Sequence, residues 1–207
     1  RRLWFSGKLK KGVFAKDLIL HVIQKLGVKA GVGYAYEFAG PGIENLSMEE
    51  RMTICNMAIE GGARCGYINP DQKTFDYLKG KDYSPKGESW EKAVKWWKSL
   101  SSDDNAIYDD EVQFDATQIS PTITWGITPG QAIAIDSCIP KPESLDINDQ
   151  QTALEAYKYM NLKPGISLEG LKIDVCFIGS CTNGRLSDLK NAAEIIKNRT
   201  VAKGVKA

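Results

Sequence analysis

Apolar positions along the 207 residues switch between helical and strand periods, and the switches outline the fold. Ala15, Leu18, Ile19, Val22, Ile23 and Leu26 recur at helical spacing, which predicts an amphipathic helix over 14–26 ended by Gly27. His21 falls off that stripe and reads as a solvated surface residue. Residues 32–38 read as a strand, broken by Gly40-Pro41-Gly42. Ser47 and Glu50 then form a capping box that opens a helix with Met48, Met52, Cys55 and Ile59 as its apolar edge, stopping at Gly61-Gly62. A short strand over 63–68, a helix over 71–79 and a tryptophan-rich helix over 88–100 follow. In the last of these Trp90, Ala93, Val94, Trp97 and Leu100 share a face, a spacing that suits packing against a core better than stacking on sugars or bases.

A polar connector at 101–105 leads to a predicted strand over 107–116. Beyond about 117 the texture changes to strands punctuated by Pro and Gly, over 122–127 and 131–135. A loop over 139–148, a helix over 149–160, the turn Lys163-Pro164-Gly165, a buried strand over 173–178 and a helix over 186–198 complete the chain. Alternating helices and strands place it in the α/β class. The change of texture divides it into one complete α/β domain over 1–116 and the first part of a second over 117–207.

Composition narrows the chemistry. With 27 Lys+Arg against 26 Asp+Glu the formal charge is +1, which lacks the basic excess that phosphate-binding surfaces carry and speaks against a nucleic-acid partner. One histidine rules out three-histidine metal sites and leaves nothing spare for a serine or cysteine triad. The five cysteines, Cys55, Cys65, Cys138, Cys176 and Cys181, are odd in number and contain no C-x-x-C, a usage that fits a reducing cytoplasmic setting. No run of 18 apolar residues exists to cross a membrane. The first residue is not Met and the last three are Val205-Lys206-Ala207, so a segment of a longer polypeptide is expected.

The strongest local chemistry lies in Val175 to Arg185, an apolar run turning through Gly179-Ser180-Cys181-Thr182-Asn183-Gly184 into a helix. Open α/β sheets place ligands at such strand-to-helix turns. A cysteine near a helix N-terminus is favoured as thiolate and suits a metal or cluster, although a structural Cys181 is an equal alternative on the residues alone. Cys176, between Val175 and Phe177, reads as core.

Ile178-Gly179-Ser180-Cys181-Thr182-Asn183 resembles the first cluster-cysteine motif of the aconitase superfamily. Thr53-Ile54-Cys55-Asn56-Met57-Ala58-Ile59-Glu60 resembles that superfamily's motif on an earlier helix, about 120 residues before it. Further runs, among them Ala15 to Leu20, Leu46 to Met52, Pro70 to Phe75, Thr124-Trp125-Gly126 and Lys163-Pro164-Gly165, are similar to the large-subunit family of 3-isopropylmalate dehydratases. The resemblance covers essentially the whole chain but only the middle of that family's length.

The resemblance implies an aconitase-like α/β fold and a hydro-lyase that interconverts 2-isopropylmalate and 3-isopropylmalate in leucine biosynthesis, partnered by a separate small subunit. It implies that Cys181 is the first of three cysteines holding a 4Fe-4S cluster, whose open iron acts as a Lewis acid on substrate. The other two ligands belong to a later C-x-x-C that this sequence lacks, so the isolated chain is expected to hold no normal cluster and to be inactive. Cys176 and Cys138 match no ligand position. Glu60 matches the family glutamate that works on the bound hydroxyl, and Asn56 an active-site amide. Their i, i+4 spacing predicts one side of one helix, with Glu60 in the last turn, where the helix dipole favours a protonated acid. Family motifs that line the rest of the substrate pocket have no match here.

Three rival readings remain open on the sequence. Aconitase or homoaconitase would share both motifs, and the Ser47-Met48-Glu49 run with Trp125-Gly126 favours the leucine branch. A nucleotide-binding module could use Gly31-x-Gly33 or Gly40-Pro41-Gly42, but neither completes a phosphate-loop pattern. A zinc or redox protein would need paired cysteines or histidine partners.

Overall fold

The computed structural model describes residues 1–207. Its centre is a four-stranded, all-parallel sheet built from β1 (Arg2–Ser6), β2 (Tyr36–Ala39), β3 (Gly66–Tyr67) and β4 (Glu111–Asp115), in the order β3-β2-β1-β4. The α/β class is therefore as expected. Strand β1 lies at the middle, with Leu3 opposite Phe38 on one side and Val112 on the other. No strand was expected there. Its alternation is nevertheless clean, since Leu3 and Phe5 are fully buried while their neighbours are half-exposed or exposed.

Helix α1 (Ala15–Leu26) follows β1 and turns Leu18, Ile19, Val22 and Ile23 into the core. Asp17 starts it, accepting the Phe14 N–H at 2.7 Å. The four-residue α2 (Pro41–Glu44) lies so close to β1 that a Cβ on Gly40 would sit 2.5 Å from the Phe5 carbonyl oxygen, and one on Gly42 2.8 Å from Phe5 Cβ. The Gly-Pro-Gly run thus serves close packing and forms no phosphate cradle.

Helix α3 (Met48–Met57) opens on the expected capping box: Ser47 N–H donates to Glu50 Oε2 at 2.8 Å and Ser47 Oγ accepts from Glu50 N–H at 3.3 Å. Its inward side differs from the expected edge. Arg51, Thr53, Ile54 and Met57 are buried, whereas Met48, Met52 and Cys55 line a groove of about 390 Å³ facing Trp97, and Ile59 is 59% exposed. Arg51 accounts for the rotation. Its guanidinium forms a bidentate pair with Asp71 at 2.8 and 2.6 Å and donates to the Glu44 carbonyl at 3.0 Å, so a charged residue occupies a core-facing position with partners in place.

Asp71 also caps α4 (Gln72–Leu78) by accepting the Thr74 N–H at 3.2 Å. Helix α5 (Glu88–Lys98) presents the expected face, half-buried at Trp90, Ala93, Val94 and Trp97, while Leu100 stays exposed. Trp97 stacks on Phe75 with ring centroids 6.2 Å apart and meets Trp90 edge-on at 5.6 Å. His21 is not a freely solvated residue: it lies edge-on to Phe114 at 6.1 Å, and burial, followed by the nearby Lys25, lowers its pKa.

A second, antiparallel pair, β5 (Thr122–Thr124) and β6 (Ala132–Ala134), packs with α6 (Ile147–Met160) around Trp125, Ile133, Ile139, Ala153, Ala156 and Tyr157. This cluster is separate from the 18-residue core that runs from Leu3 to Ile119. Two side chains of α1 tie the parts together. Asp17 Oδ1 accepts the Thr122 N–H at 2.7 Å, and Gln24 Nε2 donates to the Ala132 carbonyl at 2.8 Å. Burial raises the Asp17 pKa although both of its oxygens accept backbone hydrogen bonds.

The expected buried strand over 173–178 does not form. Val175, Phe177 and Ile178 are 63%, 82% and 49% exposed, and the only pairing is one parallel bridge between Val175 and Lys206. Apolar character makes a strand only where a neighbouring strand completes its ladder, and here Lys206 alone does so. Cys176, expected in the core, is half-buried. Helix α7 (Leu186–Ile196) follows with no buried residue. No helix is long and apolar enough to cross a membrane.

Candidate functional site

The two motifs, separated by more than a hundred positions, meet at α3. Thr53 and Asn56, one turn apart on that helix, both face the turn that carries Cys181. Asn56 Nδ2 donates to Thr182 Oγ1 at 3.2 Å. Arg185 Nη1 donates to Thr53 Oγ1 at 3.0 Å and to the Thr182 carbonyl at 2.8 Å, bridging helix and turn. Asn183 Nδ2 reaches Thr53 Oγ1 at 3.5 Å and Asp188 Oδ1 at 3.3 Å.

The turn itself is closed by Ser180 N–H donating to the Asn183 carbonyl at 3.1 Å. Asp188 stabilises its exit, accepting the Arg185 N–H at 3.0 Å as α7 begins. A carboxylate therefore already caps the α7 N-terminus, five residues beyond Cys181, and the helix end argued from the sequence is spoken for by Asp188. The Cys181 thiol is exposed. Its Sγ lies 3.9 Å from Thr182 Oγ1. Because that hydroxyl accepts from Asn56, its own proton is free to point toward the sulfur.

Glu60 departs from the expected geometry. Helix α3 ends at Met57, and Glu60 lies in a 3-10 turn over Ile59–Gly61, exposed and without a side-chain hydrogen bond. The i, i+4 argument from one continuous helix therefore fails for the pair, and so does the dipole argument that rested on it. Gly62 ends the turn at φ +84 in the left-handed region, with its N–H on the Ile59 carbonyl, which is the physical reason the helix tightens and stops there.

Three residues carry the site geometry and were missed from the sequence: Thr53, Thr182 and Arg185. Thr53 and Thr182 are two of only three polar or charged residues buried in the whole chain, the third being Arg51. A threonine inside a motif beside its named residue was the available signal. Arg185 stood at the junction of turn and helix and gave none.

A 4Fe-4S cluster can be tested against these side chains. Cys181 fits one ligand position, an exposed thiol on a hydrogen-bonded turn beside Asn56. No group of three His, Cys, Asp or Glu side chains converges to hold a metal ion, so the full ligand set of a cluster is not formed by these residues. The converging ligands that a zinc site needs are likewise not formed by these residues. Of the glycine pairs weighed for nucleotides, Gly31 is as tightly packed as Gly40 and Gly42, with a Cβ there 2.3 Å from the Ala63 nitrogen.

Comparison with known proteins agrees with the meeting of the motifs. The aconitase family (aconitate hydratase) matches residues 1–207. The 3-isopropylmalate dehydratase large subunits of two strains of Prochlorococcus marinus are 79% and 75% identical over all 207 residues. One from Synechococcus sp. is 66% identical over the same span. In each case the chain spans 44% of the relative's length.

Proposed function

Because the chain belongs to the aconitase family, we propose that it is the central part of the large subunit of a 3-isopropylmalate dehydratase, the hydro-lyase that interconverts 2-isopropylmalate and 3-isopropylmalate in leucine biosynthesis. The observation that carries this reading is the hydrogen bond from Asn56 to Thr182, next to Cys181, which brings the superfamily's two motifs to one surface. The identity of 79% to a relative of that name selects the leucine branch over aconitase and homoaconitase. The site acts with a separate small subunit in the cytoplasm, and the boundary near 116/117 divides two of the large subunit's α/β domains.

When present, the cluster supplies Lewis-acid activation of the substrate hydroxyl. This chain contributes Cys181 as one ligand, Asn56 as an amide donor beside it, and Glu60 as a carboxyl group free of internal partners and open to accept or release a proton. The remaining ligands and the carboxylate-gripping groups are supplied outside these residues.

The reading is tested in the complete large subunit. Cys181→Ser is expected to abolish the cluster's visible absorption and Cys176→Ser to retain it; equal loss in both removes the assignment of Cys181. The chain alone, treated anaerobically with iron and sulfide and mixed with the small subunit, is expected to show no turnover.

A further inference from the structure

Thr182 is the only buried residue between positions 158 and 207, and it is held by polar contacts. Three positions before Asn56, the donor in that contact, Thr53 on the same helix is 2% exposed. A helical threonine is ordinarily satisfied by its own i−4 carbonyl, and Thr53 Oγ1 does donate to the Glu49 carbonyl at 3.1 Å. Its two acceptor positions are taken by Arg185 Nη1 at 3.0 Å and Asn183 Nδ2 at 3.5 Å, from 132 and 130 positions away. The hydroxyl thus uses its single proton and both lone pairs. Both donors are steadied from behind by Asp188, through the Arg185 N–H and the Asn183 side chain.

We propose that Thr53 is a positioning residue that latches the Cys181 turn onto α3 and so sets where the Cys181 sulfur stands relative to the Asn56 amide. The role given to Cys181 rests on the function proposed above, while the latch itself is a property of this chain. Arg185 is the arm of the latch: one nitrogen holds both the Thr53 hydroxyl and the Thr182 carbonyl, so the turn cannot lift without breaking both bonds. Thr53→Val keeps the shape of the side chain, removes the hydroxyl and leaves the guanidinium facing a methyl group.

The test is amide hydrogen exchange on this chain, read at Ser180, Asn183 and Arg185. In Thr53→Val these amides exchange about tenfold faster, the amides of Leu18 to Val22 are unchanged, and Thr53→Ser restores the original rate. Arg185→Gln, at a partly exposed position that leaves α3 intact, produces the same acceleration. Unchanged turn amides in both Thr53→Val and Arg185→Gln overturn the latch. In the complete subunit, both variants lose iron and sulfide to a chelator about tenfold sooner than Thr53→Ser. Faster exchange together with an unsubstituted subunit that never takes up iron and sulfide upholds the latch and removes the cluster reading. A loaded cluster with unchanged exchange does the reverse.

Discussion

Residues 1–119 and residues 158–207 both carry large apolar side chains, but only the first stretch buries them. In the first, β1, β2 and β4 supply one apolar layer and α1 and α3 another, and Leu3, Phe5, Leu18, Ile19 and Ile54 are completely enclosed between them. In the second, Leu162, Ile166 and Leu168 still pack against the Trp125–Tyr157 cluster, but beyond them Phe177, Leu186, Ile195 and Val201 are each more than half exposed, and that part meets α3 through Thr53, Asn56, Thr182 and Arg185. Apolar residues do not make a core by themselves; they need a second layer at van der Waals distance. Where that layer is missing, the fixed point is a set of directional hydrogen bonds, and it coincides with the candidate site.

The sharpest way to break this contrast is to shorten one buried ring. Phe5→Ala is expected to lower stability to urea by about 3–5 kcal/mol, because it removes the ring that stacks on Phe114 in the middle of the sheet. A loss below 1 kcal/mol would mean that the sheet is not the stabilising core.

The thiols offer a second comparison. Burial, helped by the nearby Cys65, pushes Cys55 up to about 11 from an ordinary value of 9.0. At pH 8 it therefore carries about a hundredfold less thiolate than an ordinary cysteine, and iodoacetamide should label it last of the five. Labelling of Cys55 before the exposed Cys181 would contradict the enclosure of α3.

The Arg51–Asp71 pair gives the core a pH dependence. Burial alone would raise the Asp71 pKa, but hydrogen bonds from Arg51 and Thr74 outweigh it, and the net shift is downward. A carboxylate whose pKa is lower folded than unfolded adds stability above the ordinary Asp range, lost as the pH falls through its depressed folded value. Asp71→Asn should cost about 2 kcal/mol at pH 7, since it leaves the Arg51 charge short of a partner, and should flatten the acid limb of the stability curve. The smallest effect is expected at the other end of the contrast: Phe177→Ala should change stability by less than about 0.5 kcal/mol.

What the sequence revealed follows the same division. Helix α1 and the Ser47–Glu50 cap were legible because periodicity and capping are local properties, fully present in a dozen residues. The inward face of α3 was not, because burying Arg51 depends on Asp71, twenty positions later and on another helix. The strand over 173–178 was misread for a related reason, since its pattern is apolar but pairing is a property of two segments. Cys181 and Asn56 were singled out through their motifs, whereas the contact of Thr53 with Arg185 joins the two motifs and shows only in the fold.

The register of β1 also bears on the order in which the molecule assembles. Leu3 pairs with Phe38 after one helix, but with Val112 only after more than a hundred intervening residues. Closing the shorter loop costs less chain entropy, so β1, α1 and β2 are expected to come together before β4 joins. Until Glu111–Asp115 arrives, the free edge of β1 is an unpaired backbone ladder, and that interval is when an unfinished copy is most open to pairing with a neighbour.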